Sequence, residues 1–331
     1  MSNKKKSFFG LLRVTIFLTV FLLLIQTVSM TFVPKAVSMT FVPKASTNSN
    51  SWTSTTVKAY IGERQNSIDV LLIGNSNLYR GFSPIDCWKS YGISSCDCGK
   101  PLQSPQGAYT TLVDALRYQN PKVIVFETDL LFPTHRTINL KTVLLPDKKL
   151  VKTGVSKDIA IIDNILKELS IKKVNWHSIY KGFIVSTAWI PYKGGFDYMS
   201  VHAKTPVPLK AGSLLYLNKT IELCKQKNIK LVLLSIPSAK SWSISKHNAV
   251  AQFAKTNKLE FIDYNLNKVN NIGFNWLKDT YDGGTHLNIY GAYKVTLYLG
   301  KYLKENFQLA DHRGDPAYAQ WTEDMKYTIK Y

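Results

Sequence analysis

Acidic residues are scarce in this chain. Its 331 residues carry 22 Asp+Glu against 42 Lys+Arg, a formal charge of +20. That excess disfavours basic partners and favours acidic ones, such as anionic polymers or anionic lipid headgroups. A lysine-rich surface with no dedicated partner is the plain alternative. The lysines are scattered and no nucleic-acid-binding motif is present, so nucleic acid is not an expected partner. Cysteine is scarce too, with four: Cys87, Cys96, Cys98 and Cys224. Cys96-x-Cys98 lacks the two-residue spacing of a zinc site and has no nearby histidine, so no metal and no cofactor is expected. Outside the cytoplasm an even count allows disulfides. Sequence proximity pairs Cys87 with Cys96 or Cys98, while Cys224, in a helical stretch, reads as a buried thiol. Five of the six histidines (His135, His177, His202, His247 and His312) show no ligand-like or triad-like spacing and read as structural or surface positions.

Only one apolar run is long enough to span a bilayer. Lys4-Lys5-Lys6 precede Phe8–Val28, which is almost wholly apolar. About 20 such residues cross a membrane, and the lysines before them place the N-terminus inside. Residues 1–30 are therefore expected to be a cytoplasmic tip and transmembrane anchor, with the bulk of the chain extracellular. A cleaved signal peptide is the competitor, although its apolar region usually has only about 7–15 residues. Val28–Ala36 then recurs unchanged as Val37–Ala45, far below the period of a solenoid unit. Residues 31–56 read as a juxtamembrane linker.

With 45% hydrophobic residues, the remainder can build a large core. Residues 57–331 read as one α/β domain with an insertion around 135–208. Short apolar runs alternate with helical spacing. Strands are expected at Val70–Ile73, Ile93–Cys98, Lys122–Phe126, Lys230–Ile236 and Leu259–Asp263. Helices are expected at Asp86–Tyr91, Gln103–Gln119, Asp158–Leu169, Trp176–Ile184, Ala211–Lys227, Lys246–Asn257 and Ile289–Asn306. The alternation implies a parallel sheet with right-handed crossovers. The aromatic, glycine-containing stretch from Trp189 to Tyr198 suits a lid or carbohydrate-facing rim, and equally a core. The tail from Gln308 reads as surface.

The first strand ends in Gly74-Asn75-Ser76. A serine there can stand above the sheet at the N-terminus of the next helix, where an anionic intermediate is favoured. About 200 residues later comes Asp279-Thr-Tyr-Asp282-Gly-Gly-Thr-His286, entering a helical pattern that contains Gly291. Strand-Gly-Asn-Ser and this distant Asp-to-His block together resemble the SGNH (GDSL-type) hydrolases. The resemblance covers about Asp69 to Asn306. It implies a flavodoxin-like three-layer sandwich, the SGNH hydrolase fold, with about five parallel strands ordered 2-1-3-4-5.

The resemblance also implies roles. Ser76 would be the nucleophile and His286 its general base. The orienting acid would be Asp282 rather than Asp279, although the family places it three residues before the histidine and here it lies four before. The oxyanion would be held by the Ser76 N–H and the Gly99 N–H, and Asn75 and Asp129 are expected with Gly99 in the oxyanion or substrate-binding set. At the third strand's end the family has Gly-x-Asn, whereas this chain has Glu127-Thr-Asp129. An ionised carboxylate cannot donate a hydrogen bond. Either the hole uses backbone N–H groups alone, or one acid is protonated in a dry site; a solvated strand end is the plain alternative. The implied reaction is acyl-ester cleavage or transfer on cell-envelope polysaccharide, with O-acetyl groups the first expectation. D-alanyl-type transfer to teichoic acid, and a non-catalytic polysaccharide-binding or assembly protein that keeps the fold, are the alternatives.

Overall fold

Continuous apolar runs become strands buried on both faces. In β1 (Val70–Ile73) all four residues are fully buried, and in β3 (Val123–Glu127) all five are. With β2 (Ser95–Asp97), β4 (Lys230–Ser235) and β5 (Glu260–Asp263) they form one parallel sheet ordered β2-β1-β3-β4-β5. The chain leaves β1 toward β2 on one side and returns to β3 on the other. The C-terminal end of β1 is thus the switch point at which such sheets open a crevice. This computed structural model describes residues 59–133, 177–200, 205–266 and 272–329. The expected anchor, the repeat and linker, the Asp158–Leu169 helix, His135 and His202 lie outside these residues. Among the described residues no helix is long and apolar enough to cross a membrane.

Strand alternation divides the core into two layers. Leu71, Ile73, Ile124, Phe126 and Leu233 face α3 (Pro105–Ala115), α4 (Ala211–Gln226) and α5 (Ile244–Asn257). Val70, Leu72, Val125, Val232 and Leu234 face α2 (Pro84–Tyr91) and α6 (Ile289–Asn306). The result is the expected three-layer α/β sandwich. Side chains start these helices where the sequence offers caps. Ser83, Ser104 and Ser243 accept N–H bonds from Asp86, Gly107 and Lys246, each cap contributing about 1 kcal/mol.

Three expectations are corrected. First, Trp176–Ile184 contributes no helix among its described residues. Lys181 and Gly182 take φ of +52° and +97°, outside the right-handed helix, and Lys181 O accepts the Asp97 N–H at 2.9 Å, so the segment continues the β2 edge instead. Second, no disulfide forms: all four cysteines are free and buried. Cys96 and Cys98 are two apart on a strand and share one face of the sheet, while Cys87 packs on the other. Burial pushes the Cys87 and Cys96 thiols up, and that of Cys224 to about 12. Third, the tail is not all surface. Trp321, in the short helix α7 (Ala319–Asp324), is 2% exposed and packs on Trp88 with ring centroids 5.0 Å apart. His177, His247 and His312 fall under the structural reading. Each meets a carboxylate, Asp324, Asp263 and Asp69 respectively, at 2.6–2.7 Å.

Candidate active site

Ser76 opens α1 (Ser76–Tyr79), one turn of helix directly after β1. Asn75 holds the turn: its side-chain oxygen accepts the Asn77 N–H at 2.9 Å. Gly74 leaves no space for a side chain, because a Cβ there would lie 2.6 Å from the Glu127 Cβ. Gly99, after β2, presses its backbone against this turn. A Cβ on Gly99 would meet Gly74 O at 3.0 Å and Asn75 O at 3.1 Å. Neither the Ser76 N–H nor the Gly99 N–H has an acceptor among the described residues. Both donors are unused, and Gly99 packs on the turn that carries the hydroxyl, so they are the candidates for an oxyanion hole.

His286 reaches the serine from the other side of the crevice. Ser76 Oγ lies 2.7 Å from His286 Nε2, and His286 Nδ1 lies 2.6 Å from Asp282 Oδ2. The shifted aspartate spacing is accommodated by Gly283 and Gly284, with φ of +74° and +110°, values that cost glycine little. Asp282 Oδ1 also accepts the N–H groups of Thr285 and His286 at 3.0 and 2.9 Å. Burial alone would raise this carboxyl. The hydrogen bonds and charge of His286 outweigh it, and the net shift is downward. Asp282 thus stays ionised and fixes the tautomer that leaves Nε2 free to accept a proton. Asp279 is elsewhere: it is 1% exposed and pairs with Lys294 at 2.7 Å. Asp282→Asn is accordingly expected to lower ester turnover by about 10⁴-fold. Asp279→Asn should weaken the fold while leaving kcat within a few-fold. Steady-state kinetics and thermal melts of the two variants check this, and the reverse ranking would reassign the acid.

Asp129 departs from the expected arrangement. It accepts rather than donates: Oδ2 takes hydrogen bonds from the Asn75 and Asn77 amides, both at 3.3 Å, and Oδ1 pairs with Lys246 at 3.1 Å. Lys246 also donates to Ser241 O, and the Asn77 amide to Ser241 Oγ at 3.0 Å. Its charge is thus met by an ammonium and two amides next to the serine turn. Asp129 is no oxyanion donor; it anchors the amides that flank Ser76. Nor is Glu127 a solvated strand end. It is fully buried, its Oε1 accepts the Asp129 N–H at 2.9 Å, and Oε2 has no partner. Burial pushes its carboxyl well above the usual range, with Asp129 adding in the same direction. A raised folded pKa means stability is complete below the unfolded value of about 4.3. It then falls by up to about 1.4 kcal/mol per pH unit as pH rises toward the folded value. Glu127→Gln is therefore expected to match the parent at pH 4 and exceed it at pH 8 in chemical denaturation. Parallel pH profiles would refute a neutral Glu127.

Asn77, Ser241, Lys246 and Tyr281 complete the surroundings and were not singled out by the sequence. Asn77 is next to the serine and Tyr281 next to Asp282, which were the available signals; Ser241 and Lys246 lie far from both motifs in the chain. Tyr281 stacks on the His286 ring, centroids 5.7 Å apart and planes at 19°, and the Arg80 guanidinium lies 4.7 Å from the Tyr281 centroid. The aromatic stretch borders the histidine loop. Ile190 N donates to Thr280 O at 3.2 Å and Gly283 N to Ile190 O at 3.0 Å. Trp189 and Ile190 remain 62% and 56% exposed. Among the described residues no group of three or more His, Cys, Asp or Glu is arranged to hold a metal.

The sheet order and the serine–histidine–aspartate edge make this an SGNH hydrolase-like fold. No family model matches the chain, and no curated protein matches it. Solved structures with a similar fold include the lipase/acylhydrolase from Enterococcus faecalis, 10% identical at a TM-score of 0.40, the match covering 74% of this chain and 98% of that one. A family 3 carbohydrate esterase from Clostridium thermocellum is 13% identical at a TM-score of 0.37, covering 73% and 97%. A GDSL-like lipase from Bacteroides thetaiotaomicron is 13% identical at 0.34, covering 72% and 87%. Likenesses this distant say nothing of the chemistry at Ser76, which rests on the distances above.

Proposed function

We propose that the chain is a serine esterase or O-acyltransferase of SGNH type. One observation carries this reading: the unbroken relay from Asp282 through His286 to Ser76, at 2.6 and 2.7 Å. In the forward step His286 Nε2 takes the Ser76 proton as Oγ bonds to the ester carbonyl carbon. The carbonyl oxygen becomes an oxyanion facing the Ser76 and Gly99 N–H groups. Collapse breaks the bond to the alcohol, which leaves with the proton from His286. Water or an acceptor hydroxyl, deprotonated by His286, then attacks the acyl-enzyme and frees Ser76. Only the second nucleophile separates hydrolysis from transfer.

The substrate class is also a proposal: acyl esters, first of all O-acetyl groups, on cell-envelope polysaccharide. The lysines before a bilayer-length apolar run support a membrane-anchored, outward-facing enzyme. The exposed Trp189 beside the histidine loop supports a sugar-facing rim. The test is covalent. The full-length protein, treated with a fluorophosphonate, should take up one equivalent at Ser76 and lose turnover of p-nitrophenyl acetate in parallel. Labelling elsewhere, or none in folded protein, would defeat the esterase reading.

A further inference from the structure

The sheet has a second edge. Ser76 and Gly99 stand at the C-terminal ends of the strands, while Lys122 and Lys230 stand at the N-terminal ends of β3 and β4. With six residues in β4, the two edges are about 20 Å apart. Two clefts, of about 530 and 570 Å³, open at this far edge and share Asn228, Lys230 and Phe307. Lys122, Lys225, Lys227, Lys230 and Lys258 line them; Glu260 is the one acid in either lining. Lys122 pairs with Asp69 and Lys225 with Glu222, each at 3.2 Å. Lys227, Lys230 and Lys258 are exposed, and no ion pair among the described residues includes them.

Lysines at helix C-termini offset the helix dipole, which accounts for Lys225, Lys227 and Lys258 at the ends of α4 and α5. It does not account for Lys122 or Lys230, which belong to strand starts. Together the five line two clefts that, through Asn228, Lys230 and Phe307, join into one. We propose that this cleft binds an extended polyanion, a flexible chain with phosphate groups along its length. A bilayer surface is the other source of clustered phosphates. Lysines alone are attracted to it, but firm seating is helped by apolar residues that insert between headgroups, and none of the apolar residues lining the clefts is exposed. The exposed Trp189 and Ile190 belong to the catalytic edge. A concave, charged channel matches a strand rather than a plane.

The inference does not depend on the chemistry at Ser76, and the two are measured separately. The full-length protein is titrated with long-chain inorganic polyphosphate, with orthophosphate, and with vesicles of phosphatidylglycerol in phosphatidylcholine, at several salt concentrations. Polyphosphate should bind and orthophosphate should not compete at equal phosphate concentration. Lys227→Glu/Lys230→Glu/Lys258→Glu should weaken binding by about tenfold or more and lower the salt slope by about 3. The neutral Gln triple, which cannot repel the ligand, should show a smaller loss of the same kind. Both triples should retain the parental melting temperature and p-nitrophenyl acetate turnover. Absent polyphosphate binding, binding unchanged in both triples, or lysine-dependent binding to vesicles alone would overturn the proposal.

Discussion

Ser76→Ala should lower the kcat for a small acetyl ester by about 10³-fold or more. The size follows from what the hydroxyl does. In the proposed mechanism it supplies the atom that bonds to the acyl carbon, and its proton is the one His286 Nε2 is placed to take at 2.7 Å. His286→Ala should cost about as much, because an unassisted serine is a poor nucleophile at neutral pH. The double variant should be no slower than either single one, since groups that act as a unit are lost together. Residual rate above water should survive in all three, supplied by the Gly99 N–H and by the backbone N–H at position 76, which the substitution leaves in place. A folded Ser76→Ala protein that keeps turnover within a few-fold of the parent would remove the nucleophile role.

The second large effect concerns stability. Lys181 is fully buried, its ammonium 2.8 Å from Glu63 and 2.6 Å from Asp324, whose side chains are 4% and 2% exposed. It also lies 4.7 Å from the Trp321 ring centroid. Lys181→Met should destabilise the domain by about 3–5 kcal/mol, because two carboxylates stay buried without their cation. For a domain of this size that is a fall in Tm of roughly 6–20 °C. Adding Glu63→Gln and Asp324→Asn should recover part of the loss, since neutral groups need no counter-ion. Burial alone would raise the Asp324 carboxyl; His177 and Lys181 outweigh it and bring it below its ordinary value. Its contribution is therefore complete above the unfolded value of about 3.9 and is lost as pH falls through the lower folded one. A Lys181→Met protein with an unchanged melt would show that the cluster contributes nothing net.

The parts of this molecule that depend on local pattern were legible in the sequence. Val70–Ile73 and Val123–Phe126 read as strands because a strand covered on both faces must be apolar throughout. Ser76, Asp282 and His286 were legible because two short motifs carry them, and the structure brings all three together. What depends on distant packing was not. Lys181 and Gly182 look like ordinary helix residues until the β2 edge requires a left-handed turn. Trp321 looks like tail until Trp88 covers it. Cys87 and Cys96 look pairable until the pleat turns Cys96 to the face of the sheet opposite the helix that carries Cys87. The partners of Asp129 escaped for the same reason, since Lys246 comes 117 residues later.

The histidine loop closes on itself. Thr280 and Leu287 bridge in antiparallel fashion, His286 O accepts from the Thr280 hydroxyl at 2.9 Å and from Tyr281 N at 3.3 Å, and Asp282 lies between them in sequence. Two members of the triad therefore travel as one preassembled cartridge, and the sheet has a single separation left to hold, that between the cartridge and Ser76. Damage far from the crevice then has one route to the chemistry. A substitution that shifts α6 or loosens the β1 edge would stretch the serine–histidine gap while leaving the aspartate–histidine contact intact. In such variants an NMR signal from the Asp282-bound imidazole proton would persist after turnover had fallen, whereas damage within the loop would erase both at once.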